Sequence, residues 1–264
     1  MPQDRDAALF YDLECVKWDQ QFTFSPAPRI RRKRILAWLR ELGEIPSLLD
    51  VGCGNAMLLK EISKLAPQCR LYGADVSQPV IDDNRKRYPN INFEFLDLNR
   101  QVLPHRFDTV ICSEVVEHCQ DYLQTIEGLV SMTGKHLIIT VPTGPLFPID
   151  RHVGHVRHLT RQEMETALQA SGMQVIRAEA WGFPFFNLYK YLINLSPEKT
   201  TERFCSTRPY GWMEKLISHL VYLVFHLNVP WLGHQLFILA RRKNENIADK
   251  PSIITETQAL IDVS

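Results

Sequence analysis

Ser47-Leu48-Leu49-Asp50-Val51-Gly52-Cys53-Gly54-Asn55-Ala56 is the stretch of this chain that decides its fold. An apolar run ends in an acid, two glycines follow one residue apart, and a helical pattern then begins. This order predicts a strand, a tight turn and a helix start. It is the first crossover of an open α/β sheet, in which ligands bind at the carboxyl ends of the strands. Gly52 and Gly54 lack a Cβ, so they allow a sharp turn and a close approach of a ligand to the backbone.

The glycine turn differs from a dinucleotide-binding loop. That loop has a third glycine three positions after the second and holds a pyrophosphate, whereas Met57 occupies the position here. Asp50, two residues before the first glycine, would repel a pyrophosphate and would suit a cationic or amine-bearing ligand. The next predicted strand, 70–77, carries Asp75 about twenty residues past the loop, a position from which a carboxylate accepts hydrogen bonds from ribose hydroxyls.

Strands and helices continue to alternate along the chain. A third strand, 91–98, carries Asp97 at its end, and a fourth, 107–114, runs into polar residues. Further strands are predicted at 136–141, 173–179 and 235–241, and helices at 4–20, 27–42, 56–66, 78–88, 120–132 and 160–170. The last of these helices opens on Thr160 with Glu163 three residues later, which is a capping box.

The glycine loop, Asp75, Asp97 and the segment FDTVICSEVVEH (107–118) resemble the ordered motifs of class I S-adenosylmethionine-dependent methyltransferases. The resemblance covers about residues 30–182 and a last strand near 235–241. It implies an α/β, Rossmann-like seven-stranded methyltransferase fold, with the last strand antiparallel at or near the sheet edge.

The resemblance also implies S-adenosyl-L-methionine as the cofactor. In the family the glycine loop packs on the amino-acid part of the cofactor, the acid matching Asp75 holds the ribose, and the acid matching Asp97 faces the adenine amino group. The cofactor-binding residues expected here are Asp50, Gly52, Gly54, Asp75, Asp97, Leu98 and Ser113.

Strand four runs into a cluster of acids and a histidine. If a helix begins there, Glu114, Glu117 and His118 share one face at positions i, i+3 and i+4. Two carboxylates and an imidazole can bind a divalent ion; carboxylates suit magnesium or manganese, and the imidazole favours a softer ion. After strand five, a loop over 151–160 adds three histidines at 152, 155 and 158.

Two subfamilies share this pattern of residues. Ubiquinone-biosynthesis O-methyltransferases have an E-x-x-E-H segment in the same place, associated with a divalent ion near a catechol-like substrate. Small-RNA 3′-end 2′-O-methyltransferases use a similar set with a further histidine. On that alignment the predicted metal ligands are Glu114, Glu117, His118 and His155, for magnesium or zinc. E-x-x-E-H also occurs in metal-free members, where Glu114 lies beside the cofactor and the other two brace a helix, so both interpretations stay open.

The composition and the N-terminal sequence argue against general attraction to nucleic acid and against secretion. Thirty basic residues balance thirty acidic ones, so no overall field attracts nucleic acid. The basic run at 29–34 is interpreted as the solvated side of an N-terminal helix. Six cysteines show no metal-type pairing and the N-terminus shows no signal segment, so we expect a cytoplasmic protein with reduced thiols.

One methyltransferase domain is predicted over 1–242, with N-terminal helices at 4–42 and a polar tail at 243–264. An aromatic and aliphatic insertion at 181–233 precedes the last strand. It is interpreted as helices that cover the sheet or form a dimer face, with two alternatives: a lid for an apolar substrate, or an interfacial helix peripheral to a membrane.

The sequence therefore predicts methyl transfer, with oxygen as the favoured acceptor atom, to a small, partly apolar or aromatic metabolite. His118 and His155 are the candidate bases. Two alternatives remain: a metal-dependent RNA 2′-O-methyltransferase, which the absence of a basic domain disfavours, and a degenerate member that binds cofactor and acts through a partner. A third, weaker alternative is a nitrogen or carbon acceptor atom in place of oxygen.

Overall fold

The computed structural model describes residues 23–198, 200 and 209–243. The predicted helix 4–20, most of the tail 243–264, and Cys15 and Cys205 lie outside the described residues.

The structure is built on a seven-stranded mixed sheet, as predicted. The strands are β1 (Ser47–Val51), β2 (Arg70–Asp75), β3 (Asn92–Phe95), β4 (Phe107–Ser113), β5 (Thr133–Pro142), β6 (Met173–Trp181) and β7 (Gln235–Arg242). Their order is β3-β2-β1-β4-β5-β7-β6. β7 runs antiparallel to both of its neighbours, and β6 forms the edge. The last strand is therefore antiparallel and next to the edge.

Helices cover both faces of the sheet. They are α1 (Pro26–Leu42), α2 (Met57–Leu65), α3 (Gln78–Arg87), α4 (Tyr122–Met132), α5 (Pro148–His152), α6 (Arg161–Ala170), α7 (Phe185–Ile193) and α8 (Trp212–Phe225). Successive strand residues point to opposite faces, so Leu48 and Leu49 enter different core clusters. Because both faces are covered, the central strands are continuous apolar runs and not alternating ones.

The insertion before β7 is helical, as predicted, and one side of it covers the sheet. Phe186 of α7 and Phe225 of α8 pack with Trp181 and Phe237 in the same core cluster as α1. No helix in the described part of the chain is long and apolar enough to cross a membrane.

The segment after β4 does not meet the condition on which Glu114, Glu117 and His118 would share a helix face. No helix begins at Glu114 within the described residues 114–121: Glu114 has a left-handed φ of 61°, and Val116–His118 form a single 3₁₀ turn. The Glu114 amide donates to the Thr140 carbonyl (2.9 Å) and so extends the pairing with β5 by one residue. Glu114 therefore does not share a helix face with Glu117 and His118. The next helix, α4, begins at Tyr122, where the Asp121 carboxylate caps it.

Candidate functional site

The glycine loop is tied to β2 by its backbone. The amides of Gly52 and Cys53 both donate to the Ala74 carbonyl, at 2.8 and 3.0 Å. Gly52 has a φ of 73°, and a Cβ built on it would overlap Cγ2 of Val115. The side chain that comes close to Gly52 is therefore that of Val115, just after β4. Through this contact the glycine loop meets the segment that carries Glu117 and His118.

Asp75 is held rigidly at the end of β2. Its Oδ2 accepts a hydrogen bond from the Gly54 amide (2.9 Å), and its Oδ1 accepts one from the Ser77 amide (3.0 Å). A carboxylate has about four acceptor positions, so it can still accept bonds from a ligand hydroxyl. Ser77 is the N-cap of α3, with its hydroxyl accepting from the Val80 amide. The acid that the sequence assigned to ribose binding therefore also braces the glycine loop.

Asn84 completes this brace and was not predicted from the sequence. Its Nδ2 donates to the Gly54 carbonyl at 2.6 Å, and its side chain is almost fully buried. Its Oδ1 is buried without a hydrogen-bond partner among the described residues. A single asparagine within a polar helix sequence gives no pattern from which this contact could be predicted.

Asp50 is a buried carboxyl group beside the loop. It is 3% exposed. Burial, together with the negative charge of Asp75, raises the pKa of Asp50 to about 8. A buried carboxyl in this state gains most from a cationic ligand, the kind of ligand that the sequence analysis predicts beside Asp50.

The other predicted cofactor residues follow β3 and end β4. Asp97 is partly exposed; its Oδ1 accepts from the Asn99 amide (3.0 Å) and its Oδ2 lies 3.2 Å from Nε of Arg100. The side chain of Leu98 packs into the core. The Ser113 hydroxyl lies 2.8 Å from the Thr140 hydroxyl.

The Glu114 carboxylate accepts two side-chain hydrogen bonds and forms one ion pair. Its Oε1 accepts from the Thr140 hydroxyl (3.0 Å) and from Nε2 of Gln235 (2.7 Å), and its Oε2 lies 3.3 Å from Nη1 of Arg31. Arg31 reaches the site from α1 and Gln235 from β7. The sequence analysis missed both, because the basic run was interpreted as a solvated helix side and β7 lies far from Glu114 in the chain.

Glu117, His118 and His155 form a compact cluster. Their ligand atoms all lie within 4.8 Å of one another, and the two imidazole centroids are 4.7 Å apart. Both carboxylate oxygens of Glu117 are buried with no hydrogen-bond partner among the described residues. The structure thus brings together three of the four predicted metal ligands and leaves Glu114 out.

The pKa values of the cluster follow from its burial. Burial raises the pKa of Glu117 well above its usual range, and the charge of Glu114 adds to this. The pKa of His118 is lowered to about 4, chiefly by burial, and the pKa of His155 is lowered to about 2 by burial together with neighbouring basic groups. Both imidazoles are therefore neutral, the form that binds a cation. An unpartnered buried carboxyl next to two neutral imidazoles fits a divalent ion chemically.

A hydrogen bond to His158 determines which ring nitrogen of His155 is unprotonated. Nδ1 of His158 lies 3.2 Å from the Gly144 carbonyl, which can only accept, so Nδ1 carries the proton. Nε2 of this neutral ring then accepts from Nδ1 of His155 at 3.1 Å. Nε2 of His155 is therefore the unprotonated nitrogen. The tautomers are assigned from this hydrogen-bond pattern.

A second cluster of possible ligands shares His155 and is less suited to a cation. It consists of Asp150, His155 and His158. The Asp150 carboxylate already accepts from the Phe147 amide (3.0 Å) and pairs with the buried ammonium of Lys190 (3.3 Å). The positive charge of Lys190 would repel a metal ion there. The remaining loop histidine, His152, is exposed and belongs to neither cluster.

Comparison with known proteins finds methyltransferases similar to this chain. A sequence profile described as "Methyltransferase domain" matches residues 49–136. The ubiquinone biosynthesis O-methyltransferase of Leptothrix cholodnii is 28% identical over 157 residues, which cover 53% of this chain and 64% of that protein. The enzyme of the same name from Serratia proteamaculans is 30% identical over 145 residues, 51% of this chain and 59% of that protein. The chain thus matches between about half and two thirds of the length of these relatives.

Solved structures agree in fold. Magnesium protoporphyrin IX methyltransferase (ChlM) from Synechocystis PCC 6803 with bound S-adenosylmethionine superposes with a TM-score of 0.59 at 17% identity, over 92% of this chain and 98% of that one. The N-methyltransferase NodS from Bradyrhizobium japonicum WM9 gives a TM-score of 0.57 at 17% identity, over 90% and 99% of the two chains. The profile match and the ordered motifs around Gly52, Asp75 and Asp97 support a class I S-adenosylmethionine-dependent methyltransferase, and the solved structures agree with this in fold.

Proposed function

We propose that this chain transfers a methyl group from S-adenosylmethionine to an oxygen atom of a small, partly apolar or aromatic acceptor, with the help of a divalent ion. The observation that carries this proposal is the unpartnered, buried carboxyl of Glu117 between His118 and His155. This cluster follows Val115, whose side chain packs against Gly52, so the metal ligands and the cofactor loop are neighbours. Methyl transfer needs that proximity.

The cofactor would lie across the carboxyl ends of β1 to β4. Gly52 and Gly54 would pack on its amino-acid part, and Asp75 would accept from the ribose hydroxyls. Asp50 would face positive charge on the cofactor, Asp97 would receive the adenine amino group, and Leu98 and Ser113 would complete the walls. Residues 1–242, including the 181–233 insertion, are proposed to form the single domain that carries this site.

The low pKa values favour a ligand role over a base role for the two histidines. A general base works best with a pKa near the operating pH, and the pKa values of His118 and His155, about 4 and about 2, lie far below neutrality. Glu117, His118 and Nε2 of His155 would therefore hold magnesium or zinc. When bound, such an ion lowers the pKa of an attached hydroxyl.

The transfer itself is a displacement at the sulfonium methyl group. The acceptor oxygen forms the bond to the methyl carbon, the sulfur–methyl bond breaks, S-adenosylhomocysteine leaves and the hydroxyl proton goes to solvent. The protein's task is to hold the oxygen and the methyl group in line and to exclude other geometries. Phe147 and Tyr191, whose rings meet edge to face at 5.0 Å, lie beside the Asp150–Lys190 pair and would give the acceptor an apolar wall.

Calorimetric titration tests the proposal. S-adenosylmethionine and S-adenosylhomocysteine are titrated with and without magnesium or zinc into wild type, Asp75→Ala and Glu117→Gln. We expect binding of both cofactors to wild type, strong loss in Asp75→Ala, and loss of metal binding alone in Glu117→Gln. Failure of wild type to bind either cofactor would contradict the enzyme assignment and favour a degenerate, partner-binding member.

The acceptor is tested separately with a catechol as probe. Metal-dependent formation of a methyl ether by wild type, absent in Glu117→Gln, would support the proposal. If instead a short single-stranded RNA were methylated, with affinity that falls steeply as salt is raised, the RNA 2′-O-methyltransferase alternative would replace it.

A further inference from the structure

One side of α8 is an exposed apolar face. Six of its side chains are between 39% and 54% exposed: Met213, Leu216, Ile217, Leu220, Leu223 and Val224. Their spacing places them together on one side of the helix, which we call the α8 face. The opposite side carries Phe225, 1% exposed, which packs into the core. Trp212 at the start of the helix and Trp231 after its end are both more than 70% exposed.

A basic groove runs between α1, α2 and α8. Its volume is about 330 Å³, and its charged and aromatic lining residues are Arg29, Arg32, Lys33, Arg40, Glu61 and Tyr222. The single acid, Glu61, pairs with Arg32 at 2.9 Å. Four basic side chains and one acid leave three positive charges without a neutralising carboxylate in the lining.

The three remaining cations share one side of α1. Arg29, Lys33 and Arg40 are spaced four and seven residues apart, which places them in one row along the helix. The Arg29 guanidinium lies 3.8 Å from the ring centroid of Tyr222 on α8, and Nζ of Lys33 lies 2.7 Å from a ring nitrogen of His226 just after α8. Within residues 23–198, 200 and 209–243, none of the three forms an ion pair. The basic row therefore borders the helix that carries the apolar face.

The apolar α8 face and the basic row together indicate which kind of partner this surface binds. A helix with an apolar face flanked by exposed tryptophans, and with cations along its other side, is typical of a helix that lies in the interface of a membrane with anionic lipids. At 14 residues, α8 is about 21 Å long, too short for the ~30 Å hydrocarbon core. A second copy of the chain docking through the same face would bring two basic rows towards each other, which like-charge repulsion disfavours.

We infer that this protein docks on anionic lipid surfaces, with the α8 face inserted among the acyl chains and Arg29, Lys33 and Arg40 contacting lipid phosphates. This surface is separate from the methyl-transfer site, and its docking does not depend on the proposed reaction.

Vesicle cosedimentation of the full chain tests the inference without any activity assay. The probes are vesicles of phosphatidylcholine alone and of phosphatidylcholine with 30 mol% phosphatidylglycerol, a ratio chosen for roughly the charge of natural anionic membranes. Leu216→Glu/Leu220→Glu alters the α8 face, and Lys33→Glu/Arg40→Glu alters the basic row. The matched controls are Leu123→Glu/Val102→Glu, at two comparably exposed apolar residues outside α8, and Lys86→Glu/Lys135→Glu, each with the same change in charge as its test variant.

We expect wild type and both controls to bind the anionic vesicles, with affinity that falls as salt is raised. Each test variant should lose roughly tenfold or more in affinity while keeping its melting temperature. Equal binding by test and control variants, or no binding by wild type, would overturn the inference. A wild-type dimer in sedimentation equilibrium that Leu216→Glu/Leu220→Glu converts to monomer, without vesicle binding, would assign the α8 face to a second copy instead.

Discussion

The carboxylates of Glu114 and Glu117, three residues apart in the chain, have opposite environments. Glu114 is satisfied by Thr140, Gln235 and Arg31, whereas both oxygens of Glu117 are buried without a partner among the described residues. The left-handed backbone at Glu114 turns the two side chains away from a common helix face. The first carboxylate therefore has a structural role, and the second is the group available to an ion.

Substitution of the two acids should separate these roles. Glu117→Gln keeps the shape but removes the charge, so metal affinity should fall at least 100-fold. The metal-free protein should stay as stable as wild type, because an unpartnered buried carboxyl costs free energy. Glu114→Gln should keep its metal affinity and lose about 1–2 kcal/mol of unfolding free energy through its contact with Arg31. Metal titration and urea unfolding in chelator measure the two effects. Equal loss of metal binding in both variants would contradict the separation.

Gly52→Ala should disturb the cofactor loop through both backbone and packing. Its φ of 73° disfavours a side chain, and the new Cβ would overlap Val115. We expect a loss of about 2–3 kcal/mol in unfolding free energy and a lower affinity for S-adenosylhomocysteine. Gly43→Ala is the matched control: Gly43 has a φ of 77° and no atom within 4 Å of a built Cβ, so only the backbone cost of about 1 kcal/mol applies. Thermal unfolding and ligand titration compare the two.

The steric part of this effect can be isolated with a second substitution. Val115→Ala should restore part of the stability lost in Gly52→Ala, because it removes the overlapping methyl group. The double mutant would then be more stable than the sum of the two single changes predicts. Strict additivity would mean that Val115 does not set the requirement for glycine at position 52.

Substitution of His158 should weaken metal binding although His158 is not a ligand. His158→Phe removes the acceptor that fixes Nδ1 of His155, so His155 can rotate or change tautomer, and metal affinity should fall about 10–100-fold. His152→Phe, in the same loop but exposed and outside both clusters, should bind the ion like wild type. Metal titration of both variants at one pH is the measurement. Wild-type affinity in His158→Phe would show that the ring of His155 is held by other contacts.

The fold was largely predictable because its signals are local. The apolar runs, the glycine loop and the capping box at Thr160 each act over a few neighbouring residues, and all seven strands lie where the sequence placed them. Gly52, Gly54 and Asp75 also meet in the structure as the motif order suggested.

The missed contacts all depend on tertiary packing. The groove between α1 and α8, the approach of Arg31 to Glu114 and the brace from Asn84 to Gly54 join segments distant in sequence, so no local pattern marks them. The possible helix start at Glu114 fails for the same reason. The spacing of its residues fits a helix, but the backbone pairing with Thr140 of β5 extends one residue further than β4 and prevents it.

The pKa of Asp50 predicts how stability depends on pH. Because this pKa is raised from 3.8 to about 8 in the folded protein, the folded state holds a proton between these values that the unfolded state has lost. The free energy of unfolding should therefore fall as pH rises from about 4 to about 8, by up to roughly 1 kcal/mol per pH unit from this group. Its titratable neighbours are Asp75 and Cys112, and the negative charge of Asp75 strengthens the effect.

Asp50→Asn should remove that contribution. Compared with wild type, the variant should gain stability progressively between pH 5 and pH 8, measured by urea unfolding of the metal-free, cofactor-free protein. Binding of a cationic cofactor favours the ionised carboxyl, so at pH 7 wild type should release up to about one proton on binding S-adenosylmethionine, whereas Asp50→Asn should release less. Calorimetry in two buffers of different ionisation enthalpy measures this release. A stability difference that does not change with pH, together with equal proton release by both proteins, would mean that Asp50 is already ionised in the free protein.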